Sequence, residues 1–181
     1  MKILRFLIFI IIGIIFLGCG RSSDQQTAER PEDLDQEISQ FSLLHAKDGR
    51  TRWKLNANKA RFLESDKISV DDVLLVIYSD KNDETMTIKG DTGEINQRTD
   101  DIKIMGNVKG NSSNGGRLES EELYWRDKPG RIYTPPGIKV TIYYEDSIIV
   151  GEELDADPEL ETATLRNITG VTKSEEKSDE K

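Results

Sequence analysis

Between residues 38 and 171 the apolar positions recur with a period of two. Trp53, Leu55 and Ala57 alternate with Lys54, Asn56 and Asn58. Ile102, Ile104 and Val108 are interleaved with Lys103 and Lys109, and Ile138, Val140, Ile142 and Tyr144 with Lys139, Thr141 and Tyr143. On extended backbone successive side chains point to opposite faces, so this spacing predicts half-buried β-strands. Val73-Leu-Leu-Val-Ile-Tyr78 is apolar throughout and reads as a strand covered on both faces. Turn residues punctuate these runs at Lys47–Arg50, Asn111–Gly116, Asp127–Gly130 and Pro135–Gly137. No stripe at helical spacing interrupts them, and the fold class is all-β.

A short pattern repeats within this region. Leu55-Asn-Ala-Asn, Ile88-Lys-Gly-Asp, Leu118-Glu-Ser-Glu and Leu154-Asp-Ala-Asp share an apolar–polar–small–polar opening. Their first residues lie 33, 30 and 36 positions apart. That spacing implies stacked units of a few short strands. The small third residue suits a strand corner, where a larger side chain would meet the next layer.

The two ends differ from this body. Lys2 and Arg5 precede the apolar run Phe6–Leu17, which ends in Gly18-Cys19-Gly20, the order of a secretory leader. Leu17-Gly18-Cys19 resembles the end of a bacterial lipobox, in which the Cys19 thiol takes diacylglycerol. The other reading is an uncleaved signal-anchor helix with a buried thiol. Either places the body outside the cytoplasm. Residues 1–20 are thus leader or anchor, 21–37 a polar tether, 38–171 the β domain and 172–181 a charged tail. Cys19 is the single cysteine, so no internal disulfide forms. The net charge is −9; without Lys2 and Arg5, 23 basic residues face 34 acidic ones, giving −11. An acidic body without a basic run repels polyphosphate and argues against nucleic acid.

Sites for catalysis are hard to assemble from these residues. His45 is the only histidine, so neither a familiar zinc set nor a Ser or Cys triad follows from the sequence. No Gly-x-Ser-x-Gly elbow, phosphate loop or calcium loop occurs. The acidic pairs Asp71/Asp72, Asp100/Asp101, Glu121/Glu122 and Glu152/Glu153 are scattered evenly. Strand neighbours point to opposite faces, so these pairs read as a solvated surface rather than a shared carboxylate site. The sequence offers no catalytic residue, metal set or cofactor.

Trp53-Lys-Leu-Asn-Ala-Asn-Lys-Ala60, Gly106-Asn-Val108, Gly116-Arg-Leu-Glu-Ser-Glu-Glu-Leu-Tyr-Trp125, Ile132-Tyr-Thr134 and Gly151 resemble the LptC family in order and spacing. The resemblance runs from about residue 40 to 171. It implies an open, twisted, boat-shaped β-jelly roll of short antiparallel strands without enzyme activity. It also implies a place on the periplasmic side of the inner membrane in a Gram-negative bacterium, in outer-membrane biogenesis. There the protein would accept lipopolysaccharide from an ABC transporter with LptF/LptG-like permease subunits and pass it to an LptA-like protein. Phe16 and Gly20 depart from the usual lipobox and inner-membrane retention patterns.

In such a roll the inner face holds acyl chains by area removed from water, at about 25 cal/mol per Å². The lipid-binding set expected on that face is Phe41, Leu43, Leu55, Ile68, Val76, Tyr78, Ile88, Met105, Trp125 and Ile142. An open roll also ends on a strand with unpaired backbone groups. Thr162-Ala-Thr-Leu-Arg-Asn-Ile-Thr169 is the last β-prone run, which makes Thr162, Thr164, Leu165 and Ile168 the expected partner edge. The competing reading is a structural or assembly lipoprotein of the same fold that holds no lipid.

Overall fold

The computed structural model describes residues 37–63 and 66–173; Cys19, the leader and the end of the charged tail lie outside them. The strands in chain order are β1 (Glu37–Lys47), β2 (Arg50–Leu63), β3 (Lys67–Tyr78), β4 (Glu84–Asn96) and β5 (Asp101–Ser112). They continue as β6 (Arg117–Arg126), β7 (Arg131–Tyr133), β8 (Lys139–Tyr143), β9 (Ser147–Ala156) and β10 (Ala163–Lys173). All pair antiparallel in one sheet, ordered β1-β2-β3-β4-β5-β6-β7-β9-β10, with β8 bridging β6 and β9. Among the described residues there is no helix. Asp48 and Gly49, both at positive φ, form the two-residue turn that joins β1 to β2.

Most long strands contain one place where the inward parity switches. In β3, Ile68 and Val70 are buried, then Val73, Leu75 and Ile77, while Asp71 and Asp72 both stay out of the core. β2 switches at Asn58-Lys59, β4 at Asp91-Thr92, β6 at Glu121-Glu122 and β9 at Glu152-Glu153. Left-handed backbone at Gln40, Asp72, Asn107, Glu153 and Asn167 continues this line through β1, β3, β5, β9 and β10. One extra residue per strand bends it and increases its twist. Set side by side, these bends fold the sheet so that its two halves share one apolar core. Three amides brace the line: Asn58 donates to Asp72 (3.3 Å), Asn107 to Asp91 (2.7 Å) and Asn167 to Glu152 (3.1 Å).

The bends correct two expectations. Asp71/Asp72, Glu121/Glu122 and Glu152/Glu153 do not divide between faces, because each pair straddles a parity switch and stays on the outer side. β3 is not covered on both faces. Leu75 pairs with Leu55 and Ile88 and is fully buried, whereas Leu74, Val76 and Tyr78 point the other way and are half-buried.

The repeat has a structural basis in three of its four copies. Leu55, Ile88 and Leu118 lie in one buried row across the sheet, through Leu75 and Gly110. Their small partners Ala57, Gly90 and Ser120 stand beside the bend; a Cβ on Gly90 would lie 2.3 Å from Ile104 Cγ2. Leu154 sits after the switch in β9, out of phase with the other three.

Candidate functional site

Among the described residues the sheet does not close: β1 and β10 are its two ends. On the β1 side the inner face is accessible. Phe41, Leu43 and Leu44 of β1, Trp53 and Phe62 of β2, Ile68 of β3 and Ile95 of β4 line an apolar cleft of about 270 Å³. Phe41 meets the edge of Phe62 with ring centroids 6.3 Å apart. Among the described residues the exposed large hydrophobic side chains are Ile38, Leu44, Phe62, Leu63 and Ile168, all but the last on β1 and β2. Two of these, Leu44 and Phe62, border this mouth.

His45 caps one end of the cleft. Its ring stacks on the buried Trp53 indole at 5.3 Å, with Nδ1 3.5 Å from Asp100 Oδ1 and Nε2 3.8 Å from Asp127 Oδ1. Beyond it lies a polar cleft of about 330 Å³ lined by Lys47, Asp48, Arg50, Arg52, Asp80, Asp127, Lys128 and Pro129. Arg52 pairs with Asp80 at 2.9 Å. An apolar cleft and a polar cleft of mixed charge are thus neighbours at the His45 end.

The expected lipid-binding set is divided by the structure. Phe41, Leu43 and Ile68 line the cleft, while Leu55, Ile88, Trp125 and Ile142 face inward and are buried in the core. Val76, Tyr78 and Met105 are on the opposite face, so they do not share that lining. Met105 borders an outer cleft with Lys67, Glu94, Asn96, Lys103, Tyr124 and Tyr133, a polar setting. There burial holds the Tyr124 phenol above its usual range, and the Lys103 ammonium is raised by the Tyr124 hydroxyl first and then by Glu122. Leu44, Trp53, Phe62 and Ile95 were missed; only the apolar doublets Leu43-Leu44 and Phe62-Leu63, where alternation breaks, hinted at them.

At the other end of the sheet, Thr164, Leu165 and Ile168 belong to β10, whereas Thr162 precedes it. Leu165 packs against the core and Ile168 is 56% exposed.

Residues 5–173 match the family model for LptC, described as lipopolysaccharide-assembly, LptC-related. The chain belongs to the LptC family. Its role is therefore in lipopolysaccharide transport, and the ten-stranded antiparallel sheet is the all-β jelly roll expected of an LptC-like chain. Among solved structures, this LptC-family chain is similar to LptH, the LptA-homologous periplasmic component of the lipopolysaccharide transport device from Pseudomonas aeruginosa. That likeness has a TM-score of 0.49 and 12% identity, covering 65% of this chain and 84% of LptH. No curated protein matches the chain in sequence.

Proposed function

We propose that this protein is a non-enzymatic periplasmic relay that holds lipopolysaccharide by its acyl chains. In this reading it takes the lipid from an inner-membrane ABC transporter of the LptF/LptG type and hands it to an LptA-like partner. The observation that carries the proposal is the apolar cleft open along β1. Acyl chains need removal from water and no polar code, and the lining supplies it. Lys47, Arg50 and Lys128, which share the neighbouring cleft with Asp48 and Asp127, are the cations within reach for phosphates of the same molecule. The leader would keep the protein at the inner membrane, either through a diacylated Cys19 or as an uncleaved helix. β10, as the other open edge, would receive the partner by strand addition.

Photo-crosslinkers in the membrane-bound full chain test this reading. Probes at Phe41 and Leu43 should label lipopolysaccharide, and probes at Val76, Met105 and Lys109 should not. Equal labelling from both faces sinks the cleft as the binding site. An unlabelled cleft in a folded protein favours the scaffold reading instead. For the handover edge, Ile168→Pro should abolish capture of the LptA-like partner by removing a donor from an exposed stretch. Capture that survives in a folded variant places handover elsewhere.

A further inference from the structure

Asp127 is 4% exposed, and among the described residues its Oδ1 has no hydrogen-bond partner. A buried carboxylate oxygen in that condition is costly unless a positive charge faces it. His45 Nε2, also buried and without a hydrogen bond, lies 3.8 Å from it. That separation is too long for a hydrogen bond. Two ligand atoms on one zinc ion, each at about 2.0–2.2 Å, stand roughly 3–4 Å apart. The gap between His45 and Asp127 has that width.

A third donor is within reach. One ligand atom each from His45, Asp100 and Asp127 can be chosen so that all lie within 4.8 Å of one another, the one such group of three among the described residues. We propose that His45, Asp100 and Asp127 form a binding site for a divalent transition-metal ion of the zinc class. Two carboxylates and a neutral imidazole neutralise its double charge, and one nitrogen with two oxygens is a donor set such ions accept. Asp127 supplies the buried ligand on the Nε2 side, His45 is fixed by its stack on Trp53, and the more exposed Asp100, whose Oδ1 lies 3.5 Å from Nδ1 on the other edge of the ring, turns toward Nε2 to complete the set. The Lys and Arg side chains that share its cleft form no ion pair with Asp127: Arg52 is engaged by Asp80, and Lys47, Arg50 and Lys128 lie beyond ion-pair distance of it.

The three residues come from β1, the β4–β5 turn and the β6–β7 turn. A bound ion would therefore clasp the free edge strand to the far half of the sheet, at the end of the apolar cleft.

His45 is the only histidine in the chain, so its imidazole NMR signal reports on this site alone. The full chain in detergent, stripped with EDTA, is titrated with Zn²⁺ while that signal and the bound stoichiometry are followed. One ion should bind with a saturable shift of the His45 signal. Affinity should fall about tenfold or more in Asp127→Asn and in His45→Gln. The unfolding midpoint of the unaltered chain should rise with Zn²⁺. Zinc uptake that leaves the His45 signal unmoved overturns the proposal, since the ion is then elsewhere. A signal that responds to pH but not to Zn²⁺ overturns it too and leaves the three groups as an ion-paired cluster. Because these readings need only the unaltered chain, the test survives a variant that fails to fold.

Discussion

The two free edges of the sheet are built to different standards. β1 pairs with β2 with a single register break, at His45/Ala46, and sends Phe41 and Leu43 toward the core. β10 pairs with β9 through two breaks and anchors itself by Ala163 and Leu165 alone among its described side chains. Register is firm where one face of a strand is buried, because a one-residue slip would turn every apolar side chain to water. β1 meets that condition over the cleft, and β10 barely does. The difference separates two tasks. A firm apolar edge suits holding a lipid, and a loosely registered polar edge suits accepting another strand.

The largest effect that tests this contrast is the loss of each edge's anchor. Phe41→Ala should destabilise the domain by about 3 kcal/mol, whereas Leu165→Ala, cutting a half-buried side chain, should cost about 1 kcal/mol. Urea unfolding monitored by tryptophan fluorescence measures both. Equal losses would erase the distinction between the edges. The bend common to both edges should respond next. Gly106 has φ +77°, and a Cβ there would lie 2.6 Å from Asp91 Oδ2. Gly106→Val should therefore cost roughly 2–3 kcal/mol from backbone strain and crowding together. Gly137, at φ +81° but facing open space, should cost about 1 kcal/mol less when changed in the same way. A Gly106→Val protein as stable as the parent would mean the bend needs no left-handed residue there.

How much of this was legible in the chain depends on the range of the interaction. Period-two runs such as Trp53-Leu55-Ala57 gave away their strands, because alternation is set by neighbours two residues apart. The Asp48-Gly49 turn was equally local. Asp71-Asp72 and Glu121-Glu122 marked the bends, but they read as surface pairs, since a parity switch shows only once the far side of the strand is placed. The run Val73–Tyr78 has no alternation, so nothing local told Leu75 from Val76; pairing with Leu55 and Ile88 decides it. His45, Asp100 and Asp127 meet across three elements separated by dozens of residues, and no spacing rule brings them together.

Hydrogen exchange should show the contrast without any substitution. Pairing breaks between Thr164 and Arg166 and again between Arg166 and Gly170, so amides 165–169 lie in the loosest part of the ladder. They should exchange at least about tenfold faster than the slowest amides of residues 41–45, because local opening needs few buried contacts to be lost. Similar protection in both segments would show that the register breaks do not loosen β10. Adding a strand-forming partner should then slow exchange at 165–169 and leave 41–45 unchanged.

The smallest effect separates the two sides by pH. The Tyr144 hydroxyl, beside the turn that leads into β10, donates to the Leu160 carbonyl at 3.1 Å. Burial first, then the charge of Asp157, lifts its phenol above the ordinary value. A raised folded value means the neutral phenol is the form the fold favours. Its contribution is therefore complete below the unfolded value of about 10 and is lost as pH rises through the folded one. On the β1 side the sign is opposite. Lys59 holds the Glu37 carboxyl below its usual range, so that contact fades as pH falls through the lowered value. Tyr144→Phe should cost about 1 kcal/mol at neutral pH, the worth of one neutral hydrogen bond. The gap between parent and variant should then close as the phenol ionises. A gap that stays constant through alkaline pH would show that the hydroxyl contributes nothing to the β10 side by staying neutral.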